Sequence, residues 1–202
     1  SMISPSISAD NYIFSIYITY TSFSAVNVYY SVGQNTADHK TGSPTLSIAS
    51  GVGTFSVAQT GSTTGVGDKV TYGGSTVYIA SRISTTQWNL ITATGTTPLA
   101  TSAATVSSIA HAYASLNAAI SGAADSTHLN TADLTNGFVL NIPCYYDGKP
   151  DTTAVTVSGY ATDSTRYIKI YTPYNTGTEV NRSQRHSGKW DNTKYILRSA
   201  DG

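Results

Sequence analysis

Phe138-Val139-Leu140-Asn141, Ala154-Val155-Thr156-Val157, Tyr167-Ile168-Lys169-Ile170-Tyr171 and Lys194-Tyr195-Ile196-Leu197 are four short runs separated by polar loops that carry Gly, Pro, Asp and Asn. β-Branched and aromatic residues dominate them, and such side chains fit a pleated, half-buried surface. Leu140, Val155 and Ile168 follow one another at roughly thirteen to fifteen residues, a spacing that suits one coil per run. The C-terminal third therefore reads as the opening coils of a β-solenoid with stacked parallel strands. A conventional antiparallel β-sandwich is the alternative.

Upstream, the chain to about Thr97 breaks into strand-like pieces with Gly-rich turns: Ile13 to Tyr20, Ala25 to Val32, Thr45 to Ala49, Gly53 to Ala58, Lys69 to Tyr72, Thr76 to Ser81 and Gln87 to Thr92. Short strands at this density predict a small barrel or sandwich. Gly73-Gly74 is the best hairpin signal, because two adjacent residues free to take positive φ suit a tight primed turn. Gly65-Val66-Gly67-Asp68 reads as a turn feeding the strand Lys69 to Tyr72, and it lacks the Lys-Ser or Lys-Thr closure of a phosphate loop. Between the two β zones, Val106, Ile109, Tyr113, Leu116 and Ile120 recur at three and four residues, which predicts one amphipathic helix over Val106 to Ser121, with Thr105 at its start and Gly122 at its end. Such a helix would shield the open end of the solenoid core. The expected organisation is an extension strand over 1–24, a barrel-like module over 25–100, and the capping helix with the opening coils over 101–202.

Eleven basic and eleven acidic side chains sum to zero, and charged residues are 11% of the chain, against a usual share of about 25%. Ser and Thr exceed a quarter of the residues and Tyr numbers fifteen, so hydroxyls wet this surface, as in extracellular β proteins. Zero net charge argues against a general binder of nucleic acid or acidic lipid. No run reaches the length of a membrane span. The apolar stretch Ile13 to Phe23 lacks the preceding basic residue and following cleavage site of a secretory signal, and its alternation fits a strand. Cys144 has no partner thiol, which leaves it the role of a buried small hydrophobe.

Val28-Tyr29-Tyr30-Ser31-Val32-Gly33, Gly65-Val66-Gly67-Asp68, His128-Leu129-Asn130-Thr131-Ala132-Asp133-Leu134, Tyr167 to Pro173 and Ser183 to Trp190, in that order and spacing, resemble a family of bacterial secreted right-handed parallel β-helix repeat proteins. The resemblance covers most of the chain from Asn27 onward. It implies architecture and export rather than an activity. Members of that family run through many further coils, so the expectation is an N-terminal unit that is isolated, truncated or capped by self-association.

Beyond Ser164 there are seven basic residues and three acidic ones, interleaved with Tyr167, Tyr171, Tyr174, Trp190 and Tyr195. Aromatic rings stack on the apolar faces of sugars while Arg forks engage hydroxyls or carboxylates. The candidate ligand-binding residues are therefore Arg182, Arg185, His186, Lys189, Trp190 and Asp191, with Tyr145 and Tyr146; the competing reading is a solvated loop whose cations pair with Asp191 and backbone carbonyls. Tyr145-Tyr146-Asp147-Gly148-Lys149-Pro150-Asp151 holds the best carboxylate pair for acid/base sugar cleavage, against a plain Gly/Pro turn with Asp caps. Asp147, Asp151 and Asp163 are the carboxylates that a calcium-dependent lyase of β-helix type would have to use. His39, His111, His128 and His186 show no metal spacing; His111 is expected on the helix surface, and His128 with Asp133 in turns rather than on a shared cation. No Gly-x-Ser-x-Gly elbow accompanies them. Asn181-Arg182-Ser183 fits the glycosylation pattern, which a bacterial origin would leave idle.

The sequence thus predicts a mainly β chain with one helix, acting as a secreted or cell-surface, adhesin-like, non-catalytic interaction protein that binds carbohydrate or protein and forms homo-oligomers through exposed β edges. No catalytic residue, metal or cofactor is assigned. A polysaccharide lyase or glycoside hydrolase of β-helix type, and a fibre-forming subunit, are the alternatives.

Overall fold

The computed structural model describes residues 24–198. The strand expected over Ile13 to Tyr20 lies outside them. Within this range the chain builds two β bodies, a closed antiparallel barrel and a three-stranded parallel sheet. The first strand, β1 (Val26–Tyr29), belongs to the sheet; then β2 (Thr45–Ala49), β3 (Val52–Phe55), β4 (Lys69–Tyr72), β5 (Ser75–Arg82), β6 (Gln87–Ile91) and β7 (Thr101–Ala110) close the barrel in the order β2-β3-β6-β5-β4-β7. The barrel therefore runs to Ala110, past the boundary expected at residue 100.

Alternation drives barrel formation. In β2 and β4 every second residue is buried, so Leu46, Ile48, Val70 and Tyr72 point inward. Phe55, Val77, Ile79, Trp88, Leu90, Val106 and Ile109 fill the rest of the interior. Gly53 makes room, since a Cβ there would stand 2.4 Å from Leu90 Cδ1. Gly73-Gly74 forms the two-residue hairpin between β4 and β5 with φ of +49° and +80°, as the sequence predicts.

The long helix expected over Val106 to Ser121 is not formed. β7 occupies its first part, pairing with β2 through Thr101 to Thr105 and with β4 through Val106 to Ala110. Its register against β4 shifts between Thr71 and Tyr72, and that bulge puts Val106 and Ile109 both inside the barrel although they are three residues apart. An extra residue in a bulged strand thus mimics the helical period. The true helix, α1 (Leu116–Gly122), is capped by Ser115, whose side chain accepts from the Ala118 amide at 3.1 Å, and not by Thr105.

Downstream, a short 3-10 turn (Leu134–Asn136) capped by Asp133 leads into β8 (Phe138–Pro143), and β9 (Ile168–Tyr171) follows. The sheet order is β1-β8-β9, all parallel, with Val28 opposite Leu140 and Leu140 opposite Ile168. Further parallel bridges join Val32 to Cys144, Asp133 to Ala161 and Asp151 to Leu197. Ala154 to Val157, expected as a strand, pairs with nothing in a ladder; Val155 packs on the core from an irregular segment. Of Lys194 to Leu197, only Leu197 takes a bridge.

Val28, Tyr30, Val32, Leu140, Ile142 and Cys144 form the inner face of the sheet, and Leu116, Ala119 and Ile120 of α1 join the same core. The barrel is inserted within this body. The chain leaves the sheet at Gly33 and returns at Tyr113, and the two points are hydrogen-bonded: the Gly33 amide donates to the Tyr113 carbonyl and the Tyr113 amide to the Ser31 carbonyl, each at 3.0 Å.

Candidate functional site

The seam between barrel and sheet contains a buried charge chain. His111, directly after β7, is enclosed, not on a helix surface as expected. Its Nδ1–H donates to Asp68 Oδ1 at 2.7 Å, and its Nε2 lies 3.3 Å from Asp147 Oδ1. His39 Nε2 stands 3.3 Å from Asp68 Oδ2, which also accepts from the Gly65 amide at 3.0 Å. The Tyr145 ring stacks on His111 at 4.7 Å. Burial alone would depress the His111 imidazolium, but the Asp68 charge and the bonds to Asp147 and Asp68 outweigh it and raise its pKa to about 9. Burial likewise opposes ionisation of Asp68, yet the charge and hydrogen bond of His111, helped by His39, bring it down to about 2. Gly33 is the residue this arrangement requires: a Cβ there would sit 2.1 Å from both Asp147 Oδ2 and His111 Cδ2. Asp68 and His111 are enclosed while the His39 and Asp147 ends are half-buried, and the chain of contacts links the turn Gly65 to Asp68, the end of β7 and the loop after β8.

The same seam settles several candidate residues. Tyr145 is fully buried with its hydroxyl donating to the Val66 carbonyl at 2.7 Å, so it is no ligand platform. Asp147 and Asp151 do not face one another across a cleft. Asp147 also accepts from the Asn35 amide, while Asp151 is buried and accepts from the Leu116 and Thr153 amides and the Tyr195 hydroxyl. Asp163 turns to Thr165 and Arg166 at the surface. His128 pairs with Asp125, and Asp133 caps the 3-10 turn. Among the described residues no group of three His, Cys, Asp or Glu side chains is placed to hold a metal ion. Asn181 is engaged by the Arg82 guanidinium and by the Gln59 and Gly61 carbonyls. Cys144 is buried, which pushes its thiol up to about 12.

Two surface depressions among the described residues take lining from the segment Thr178 to Gln184. The larger is a groove of about 280 Å³ along the outer face of the parallel sheet. Strand alternation presents Asn27 and Tyr29 of β1, Asn141 of β8, and Lys169 and Tyr171 of β9 on this face, with Tyr167 just before β9. Lys169 Nζ lies over the Tyr171 ring at 4.4 Å. The opposite wall is Val66, Ala80, Ser81, Thr178 and Glu179. Glu179 is pinned, accepting from the Tyr174 and Asn175 amides. The smaller is a cleft of about 130 Å³ where Arg182 and Tyr146, both singled out from sequence, meet Lys194, Gln184 and the hydroxyls of Ser62, Thr63, Ser183 and Thr193.

The remaining residues of the loop do not line that cleft. Arg185 stacks on Tyr174 at 3.7 Å, His186 lies beside Trp190 with ring centroids 6.0 Å apart, Lys189 is exposed, and Trp190 is 68% exposed. Asp191 accepts from the Thr193 amide and hydroxyl. Sequence reading missed the groove, because its residues come from strands that only the parallel register aligns. Lys194 was also missed as a site residue; the basic excess beyond Ser164 was the one signal pointing at it.

Comparison with known proteins finds no matching family model, no matching curated protein and no matching solved structure.

Proposed function

We propose that this chain is a secreted or cell-surface, non-catalytic interaction module that binds carbohydrate along the outer face of its parallel sheet. The observation that carries the reading is the groove itself: Tyr29, Tyr167 and Tyr171 line it with Asn27 and Lys169, Tyr167 is 43% exposed, and buried Asn141 holds Asn27 in place by donating to its Oδ1. Rings with an apolar body and a polar tip suit saccharides, which alternate C–H faces with hydroxyl edges. The scaffold under this reading is the opening of a right-handed parallel β-helix of the bacterial secreted type, with the barrel inserted in its first coil and α1 shielding one end of its core. The parallel bridges beyond the sheet, Val32 to Cys144, Asp133 to Ala161 and Asp151 to Leu197, support it.

Glycan-array screening, followed by titration of the best neutral oligosaccharide, tests the binding. Tyr29→Ala and Tyr171→Ala should each weaken it several-fold in protein that circular dichroism shows to be folded, with Trp190→Ala and Arg185→Ala reporting on the neighbouring loop. Unchanged affinity in both tyrosine variants removes the groove from consideration.

A second reading, self-association, rests on β9. It pairs with β8 on one side and with no strand on the other among the described residues. Its Ile170, on the core-facing side opposite buried Ile142, is 42% exposed. An open edge beside apolar surface pairs readily with another chain. Sedimentation velocity of the wild type against Ile170→Lys separates a dimer or fibre built on this edge from a monomer.

A further inference from the structure

We propose that the Arg182–Lys194 cleft is an oxyanion subsite that takes the carboxylate or sulfate of an acidic saccharide. It rests on the carbohydrate reading for the chemical nature of the carrier, and it uses residues separate from the groove.

The cleft is lined by two cations, by the aliphatic hydroxyls of Ser62, Thr63, Ser183 and Thr193, and by Tyr146 and Gln184, with no acidic side chain in that lining. In a chain of zero net charge with so few charged residues, such a pairing is a local departure from the surface average. Several other cations have partners: Lys40 pairs with Asp38, Arg166 pairs with Asp163, Arg185 covers Tyr174 and Lys169 covers Tyr171. No salt bridge reaches Arg182 or Lys194 among the described residues. Lys194 Nζ donates to the Ser183 carbonyl at 2.7 Å, which fixes the ammonium and leaves two of its three hydrogens for a ligand. The Arg182 side chain is exposed and its planar fork is free to meet two oxygens at once.

The floor is rigid. Gln184 is buried, its Nε2 donating to the Ser62 and Arg182 carbonyls at 3.2 and 2.8 Å and its Oε1 accepting from the Tyr146 amide. One side chain therefore ties together the three segments that carry Ser62, Arg182 and Tyr146. Asp191, three residues before Lys194, is occupied by the amide and hydroxyl of Thr193 and so orients that hydroxyl residue at the rim. It offsets part of the Lys194 charge from outside the lining, leaving the cleft net positive. A volume of about 130 Å³ suits a single carboxylated or sulfated sugar unit rather than an extended chain. The Tyr146 ring supplies the apolar face that such a unit presents a partner for.

The test is calorimetric titration of the full chain at low and moderate salt with three probes of equal length: oligogalacturonate, a sulfated galactan oligomer and a neutral galactan oligomer. At least one acidic probe should bind about tenfold more tightly than the neutral one at low salt, the advantage shrinking as salt screens it. Arg182→Gln should erase that advantage and Lys194→Gln reduce it, while affinity for the neutral probe stays unchanged in both. Among the described residues Arg182 makes no side-chain hydrogen bond or salt bridge, so its variant should keep the wild-type melting temperature, and Arg182→Lys should restore part of the preference. Which acidic probe gains identifies carboxylate or sulfate. If the neutral probe fails to bind but the acidic advantage depends on Arg182, the groove reading falls and the subsite stands. If acidic and neutral probes bind alike, if neither acidic probe binds, or if Arg182→Gln leaves the preference intact, the subsite is refuted.

Discussion

Replacing Asp68 by Asn keeps the shape of the residue and removes the charge that holds His111 protonated in the seam. Asp68 accepts from His111 Nδ1 at 2.7 Å and the Gly65 amide at 3.0 Å, and faces His39 Nε2 at 3.3 Å. An amide presents one oxygen where the carboxylate presented two, so one of these donors loses its acceptor, and a fully enclosed imidazolium loses its nearest counter-charge. Removing one member of a buried pair costs about 3–5 kcal/mol, a large part of the roughly 5–15 kcal/mol that holds a domain folded. At about 2–4 °C per kcal/mol for a chain of this size, the melting temperature should fall by roughly 6–20 °C.

The pH dependence gives an independent readout of the same pair. The groups facing His111 are Asp68, Asp147, His39 and the Tyr145 ring. Its folded pKa of about 9 lies above the ordinary 6.5, so its contribution is complete below about pH 6.5 and is lost as pH rises through 9. Asp68, held at about 2 against the usual 3.8, contributes fully above about pH 4 and loses that as pH falls toward 2. Urea unfolding of the wild type should therefore show a plateau between about pH 4 and 6.5 and a decline above it. Asp68→Asn should show a smaller alkaline decline that begins at lower pH, since only Asp147 then favours the His111 proton. A variant with wild-type stability, or one that keeps the alkaline decline at its wild-type size and position, refutes the account of the seam.

Gly33→Ala should destabilise by about 1–3 kcal/mol in urea unfolding, because its new methyl meets Asp147 and His111 at 2.1 Å in a packed seam. Cys144 should resist labelling by a thiol reagent in the native state and react at once in denaturant, as its burial and raised pKa require. Of the two tryptophans, Trp88 is fully buried in the barrel and Trp190 is exposed, so Trp190→Ala should remove the iodide-quenchable, red-shifted emission and leave the melting temperature within about 1 °C.

Most of the strands were legible in the sequence because one face of each is buried and alternation survives in the residue order. Lys69 to Tyr72 and Thr45 to Ala49 match the sequence reading residue for residue, and Leu140 and Ile168 do sit on parallel neighbours. What failed failed for local reasons. The bulge in β7 turned a two-residue period into a three-residue one and passed for the start of a helix. Ala154 to Val157 has strand composition but no neighbour to pair with. The candidate sites were harder still. The loop around Arg182 was found from its charge, but its cleft depends on Ser62 and Thr63, more than a hundred residues earlier, brought in by Gln184. His111 was misplaced with the helix, and no pattern in the chain announces that Asp68 and Asp147 meet it.

The insertion of the barrel between β1 and the rest of the sheet governs the order in which the molecule can assemble. The Asn27–Asn141 contact spans 114 residues, and closing so long a flexible loop before anything rewards it is entropically unfavourable and slow. The barrel, by contrast, is complete once Ala110 exists. As the ribosome releases the chain, this body can mature while β8 is still being made. Its mature form holds Ser31 and Gly33 against Tyr113, which shortens the remaining search to the short stretch between Tyr113 and Phe138. β1 thus waits as an orphan edge on a finished neighbour, and any lesion that slows barrel maturation prolongs the interval in which that edge is open to the wrong partner.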